Sequence, residues 1–192
     1  MFGPKRGVLK WRDVIMWPID TLSENKDKEL KNYARSLDLD KIIASETKQH
    51  IDAVKITQLA REITKIAKND LERIKLIYIW IAENIAYDDD SFNNKTITVD
   101  KATPSNVLKT KLAVCEGFSN LVTALGKSIG LEVVKVSGYC KGFGYTEGTI
   151  FNEANHAWNV FISGNYCVLR DLPSTAELRD FIHDHCQRRN RQ

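Results

Sequence analysis

Cys115, His156 and Asp171 have the residue types and the chain order of a nucleophile, a base and an orienting acid for attack on a carbonyl carbon. A cysteine attacks as its thiolate, and the unpaired amides and dipole of a helix N-terminus favour negative charge at that point. A histidine is the usual base for such a thiol, and a carboxylate holds the imidazole in a productive orientation. Taken singly, each residue has an ordinary reading: a small core residue, a satisfied strand histidine and a turn residue. Only their combination, on elements that bring them together, carries chemistry.

The elements follow from hydrophobic spacing. After Cys115, the residues Phe118, Leu121, Val122, Leu125 and Ile129 share one helical face, and Gly130 is a helix stop, so the thiol falls at a helix start. Glu132 to Cys140 is β-rich, and Gly142, Gly144 and Gly148 mark a loop. His156 to Ile162 and Tyr166 to Leu172 read as two strands joined around Gly164-Asn165. Alternation sends Trp158 to the same side as His156, and Ala157 and Asn159 to the other. A hairpin centred on that turn pairs residues near 171 to 173 with residues near 156 to 158, which sets Asp171 beside His156.

Upstream, apolar residues at Val54, Leu59, Ile63 and Ile66 predict a helix within Ala53 to Lys68. A second helix, capped by Asn69 or Asp70, carries Leu71, Ile74, Ile77, Tyr78, Ile81 and Ile85 on one stripe up to Ala86, with Trp80 off it. Asp88-Asp89-Asp90 reads as the start of a polar loop through Asn94. Thr103-Pro104 suits a helix cap and first position, predicting a short helix through Leu108. Helices first and an antiparallel sheet after them make an α+β fold.

At 192 residues, 43% of them apolar, the chain fits one domain. We expect an extended or poorly structured arm at 1–40, a folded domain at 41–172 and a helical, basic tail at 173–192. A formal net charge of +3 gives no strong attraction for nucleic acid or an anionic membrane. No apolar run is long enough to span a bilayer, and the start lacks a secretory pattern, so the expected address is cytoplasmic. The four cysteines show no C-x-x-C pair and read as free thiols, with Cys140 and Cys167 buried in strands. His183, His185 and Cys186 have no second cluster to complete a metal site, and the aspartates at 88 to 90 lack the alternating ligand spacing of a calcium loop, so no metal is expected. Trp80 and Trp158 read as core or cleft-lining aromatics, either able to offer an indole donor to an oxyanion.

Four segments resemble the transglutaminase-like cysteine peptidases, nearest the kyphoscoliosis peptidase and hillarin group. They are Ile79-Trp80-Ile81-Ala82-Glu83-Asn84-Ile85-Ala86-Tyr87-Asp88, the run from Thr103-Pro104-Ser105-Asn106-Val107-Leu108 to Ala113-Val114-Cys115-Glu116-Gly117-Phe118-Ser119, Ser137-Gly138-Tyr139-Cys140-Lys141-Gly142, and Asn155-His156-Ala157-Trp158-Asn159-Val160. The resemblance implies a papain-like core with the nucleophile at a helix N-terminus against an antiparallel sheet. It further implies Cys115, His156 and Asp171 as a triad, a protein or peptide substrate, a thioester intermediate and no cofactor. Where that family's pattern runs Asp-x-Thr-Trp, this chain has Asp171-Leu172-Pro173-Ser174. This departure keeps open a second expectation, a catalytically weak or inactive domain that binds protein partners, cytoskeletal ones among them.

Overall fold

The computed structural model describes residues 23–40, 51, 53–139, 146–148, 150, 152–163 and 166–170. Six helices are described: α1 (Glu24–Ser36), α2 (Ala53–Ile63), α3 (Asp70–Asn84), α4 (Asp89–Asn93), α5 (Pro104–Thr110) and α6 (Cys115–Ser128). A two-stranded parallel ladder joins β1 (Ala86–Tyr87) to β2 (Leu112–Ala113). Beyond α6, β3 (Glu132–Gly138), β4 (His156–Ser163) and β5 (Tyr166–Arg170) form an antiparallel sheet in the order β3-β4-β5. The α+β expectation holds.

Helix α6 is the centre of the molecule, packed against α2 and α3 on one side and against β3 and β4 on the other. Its predicted stripe is the reason: Phe118, Leu121, Val122 and Leu125 are all buried. Its end is the motif that Gly130 announced. Gly130 takes the left-handed conformation, its amide donates to Lys127 O, and the Leu131 amide donates to Gly126 O, closing the last carbonyls of the helix. The chain then turns directly into β3.

The sheet presents Val133 of β3 with Ala157, Asn159 and Phe161 of β4 as its buried face, while Val134 on the opposite face is 43% exposed. Contact with the helix is close. A Cβ built on Gly126 would stand 2.6 Å from Val133 Cγ2. Replacing a helical glycine with alanine ordinarily gains up to about 1 kcal/mol, but a contact this short forces β3 away from α6, an overpacking cost of about 1–3 kcal/mol. Gly126→Ala is therefore expected to lower stability by about 1 kcal/mol rather than raise it. Urea unfolding checks this, and an unchanged or higher midpoint would show that the helix–sheet gap can widen freely.

Four sequence expectations need correction. Residues 24–36, assigned to an extended arm, form α1, capped by Ser23 and packed on α3 with Leu30 and Ala34 wholly buried. The Asp88–Asp90 run is not simply a loop: the Asp88 carboxylate accepts from the Ser91 amide at 3.0 Å and starts α4. Helix α2 stops at Ile63, short of Lys68, and Val54 is exposed. Trp80, placed off the α3 stripe, is 1% exposed because α3 is enclosed by α1, α2 and α6 together.

Candidate active site

The ladder β1–β2 delivers the chain to Cys115. The Ala86 amide donates to Lys111 O and the Asp88 amide to Ala113 O, so the step from β2 into α6 is pinned two residues before the thiol. Tyr87 of β1 stacks on Phe118 in the first turn of α6, with ring centroids 6.4 Å apart. Gly117 lets that turn sit close: an added Cβ would lie 3.0 Å from Ala113 Cβ and 3.1 Å from Val107 Cγ2.

Cys115 is a free, half-buried thiol at the first residue of α6. Its helix start differs from the others nearby. Helices α1, α3, α4 and α5 are each capped by a side-chain oxygen, from Ser23, Asn69, Asp88 and Thr103. Before α6 stands Val114, in extended conformation, whose side chain accepts no hydrogen bond. Valine is a poor N-cap. No cap side chain competes there with a sulfur or an oxyanion for the first-turn amides.

His156 is the first residue of β4, half-buried, and pairs with Gly138 of β3. Trp158 stands beside it, ring centroids 5.9 Å apart, and its indole lies over Gly138, where a Cβ would come within 2.6 Å of the ring. As expected from alternation, Ala157 and Asn159 turn to the α6 side and are buried. Asn159 Nδ2 donates to Ser119 O at 3.1 Å and to Thr123 Oγ1 at 2.9 Å. Lys135, opposite Asn159 in the register, forms an ion pair with Glu116, the residue after Cys115.

These contacts fix the relative direction of helix and strand. Glu116, Ser119 and Thr123 meet the level of Asn159, while Gly126 meets Val133, which pairs with Phe161. Helix α6 and strand β4 therefore run the same way, and their first residues, Cys115 and His156, lie at the same end of the helix–sheet pair. Asp171 lies outside the described residues. It follows Arg170, the last residue of β5, which pairs with Asn159 three residues along from His156. The register from Ser163↔Tyr166 to Asn159↔Arg170 is the two-residue hairpin read from Gly164-Asn165.

A cavity of about 380 Å³ lies next to the α6 start, lined by Asp88, Lys101, Asn106 and Leu112 and reaching Ala113 and Val114. The Ser91 hydroxyl and amide, together with nearby Lys101, hold the Asp88 carboxyl below the ordinary carboxylate range. Trp80, a candidate oxyanion donor by sequence, is a core residue with Lys111 above its ring at 5.6 Å. Among the described residues, no group of three or more His, Cys, Asp or Glu is placed to hold a metal ion, and no helix is long and apolar enough to cross a membrane. His183, His185, Cys186 and Cys140 fall outside those residues.

The family model described as the transglutaminase-like superfamily matches residues 57–169, more than half of the chain and inclusive of Cys115 and His156. The chain belongs to the transglutaminase-like superfamily. Kyphoscoliosis peptidase of Mus musculus is 35% identical over 113 residues, covering 58% of this chain and 17% of that protein. Hillarin of Drosophila melanogaster is 27% identical over 133 residues, covering 66% of this chain and 15% of that protein. The chain thus spans about a sixth of the length of these relatives. A crystal structure of a Cytophaga hutchinsonii protein, proposed to be a cysteine protease, aligns with a TM-score of 0.50 at 20% identity over 72% of this chain and 43% of that one. That likeness is one of fold. The resemblance read from the four sequence segments is upheld, and sequence reasoning overlooked Glu116, Thr123, Lys135 and Asn159. Only Asn159 gave a local signal, a polar residue at the inward strand position between Ala157 and Phe161, and its partners did not follow from it.

Proposed function

We propose that this transglutaminase-like domain is a cysteine hydrolase acting on protein or peptide substrates by acyl transfer, with Cys115 as nucleophile, His156 as base and Asp171 as the group that orients the base. The observation that carries this reading is the thiol at the uncapped start of α6, at the same end as His156. His156 takes the Cys115 proton as the sulfur bonds to the amide carbonyl carbon. The Cys115 amide and one further donor hold the resulting oxyanion. Collapse breaks the C–N bond, the imidazolium gives its proton to the departing amine, and a thioester remains. Water then attacks the thioester, leaving a carboxylic acid and the restored thiol. An amine in place of water makes the same site a transglutaminase. The cavity beside Val114 offers room for a substrate segment flanking the reacting carbonyl. The reaction needs no cofactor, and a reducing compartment such as the cytoplasm keeps the thiol free.

The test is alkylation by a small neutral thiol-directed electrophile at neutral pH. Cys115 is expected to react at least about tenfold faster than a free cysteine, since an activated thiolate is the reacting species, and His156→Ala should remove that advantage. Reaction at the rate of a free thiol, or a rate indifferent to His156→Ala, would sink the proposal.

A second reading rests on the replacement of the family's Asp-x-Thr-Trp by Asp171-Leu172-Pro173-Ser174. It makes the domain a binding module for protein partners, cytoskeletal ones included, without turnover. A Cys115→Ala chain that fully restores the biological effect would decide for it.

A further inference from the structure

We propose that Asn159 is a positioning residue, one that sets the strand carrying His156 against the helix carrying Cys115; this rests on the acyl-transfer reading above. Asn159 is 2% exposed, between Ala157 and Phe161 on a face where an aliphatic side chain would pack without any polar partner. A buried carboxamide costs about 1–3 kcal/mol unless its hydrogens are bonded, so its presence is not explained by packing. Its Nδ2 group bridges two acceptors of α6, Ser119 O at 3.1 Å and Thr123 Oγ1 at 2.9 Å. The Thr123 hydroxyl donates its own proton to Ser119 O at 2.8 Å, which fixes its lone pairs toward Asn159. Three polar groups thus form a closed triangle between strand and helix.

Close apolar packing sets the spacing of strand and helix, and hydrogen bonds, being directional, fix the slide between them more sharply. Ser119 is one helical turn from Cys115, and Asn159 is three residues from His156. On the neighbouring strand, Lys135 ties to Glu116, directly after the nucleophile. That pair is 30% and 41% exposed and adds less than the buried triangle. A misplacement of about 1 Å between reacting groups costs about 10²-fold in rate. The triangle is therefore expected to act on kcat rather than on substrate affinity.

Thr123→Val removes the hydroxyl at nearly constant shape, and Thr123→Ser keeps it. With the whole chain and an activated peptide ester, Thr123→Val should lose about tenfold or more in kcat with KM changed less than about twofold, while Thr123→Ser stays within about twofold in both. Thermal melts of both variants exclude loss through unfolding. A Thr123→Val enzyme with wild-type kcat, or a loss seen equally in Thr123→Ser, overturns the proposal. A second measurement separates it from the catalytic reading. Proton–proton contacts between the first turn of α6 and the first residues of β4, followed by NMR, should weaken in Thr123→Val and persist in Thr123→Ser. Contacts unchanged in Thr123→Val reject the positioning role even in a chain that shows no turnover. Wild-type Cys115 reacting like a free thiol rejects the acyl-transfer reading instead.

Discussion

His156→Ala is expected to lower turnover of a peptide amide by about 10³-fold or more, with little change in KM. General acid–base assistance by one positioned side chain is worth about 10²–10⁴-fold, and His156 is assigned both halves of it: it removes the thiol proton and later protonates the departing amine. The two roles separate by leaving group. An activated ester leaves without a proton, so the loss with an ester should be smaller than with an amide. Equal losses on ester and amide would show that His156 does not protonate the leaving group.

In the proposed mechanism Asp171 acts through His156, so the loss in Asp171→Asn is bounded by that in His156→Ala, and the double variant should be no worse than His156→Ala alone. Residues working as one unit are strongly non-additive. A double variant distinctly slower than His156→Ala would give Asp171 a separate task, and an Asp171→Asn enzyme at wild-type rate would leave a dyad of Cys115 and His156.

The parts of the fold that were legible in the sequence are those where local and tertiary signals agree. The start and end of α6 are an example: the stripe from Phe118 to Leu125 faces both neighbouring layers, and Gly130 suits a left-handed cap. The β4–β5 register was legible for a similar reason, since a two-residue turn leaves one pairing. Helix α1 was obscured because only Leu30 and Ala34 of its residues are buried, and most of the rest is charged, as a solvated arm would be. The aspartates at 88 to 90 were ambiguous because the same carboxylates suit a solvated loop and the positive end of a short helix. Lys111 could not be read at all: it takes the left-handed conformation at the end of α5, where glycine is usual, with its amide donating a hydrogen bond to Val107 O and its side chain in an ion pair with Asp40. In the site, the proposed nucleophile and base stood out by type and order. Asn159 did not, because its value lies in partners forty and thirty-six residues away.

The largest stability effect is expected from Asp27→Ala. Lys75 lies on α3 with 3% of its side chain exposed, beside Leu76 and Ile77, and its ammonium pairs with the Asp27 carboxylate of α1. Lys31 reaches the same carboxylate at 2.7 Å. Removing one partner of a buried pair costs about 3–5 kcal/mol, because the other charge keeps its desolvation penalty. Asp27 is 24% exposed, which moves the expectation to about 2–3 kcal/mol, or a fall of roughly 4–12 °C in Tm for a chain of this size. Lys75→Met should cost much less, because it removes the buried charge and keeps an apolar stem of similar length. The pH dependence has a definite sign. Burial pushes the Asp27 carboxyl up, but the hydrogen bonds and charges of Lys31 and Lys75 outweigh it and leave it below its ordinary value of 3.8. A carboxyl lowered in the folded state contributes stability that is present above its unfolded value and lost as pH falls through the folded one. Urea unfolding should therefore show the gap between wild type and Asp27→Ala constant from neutral pH down to about 5 and narrowing below 3.8. A gap that narrows already between pH 7 and 5 would assign the stabilisation to another group, and no gap at neutral pH would mean that the Lys75 charge is solvated once α1 loosens.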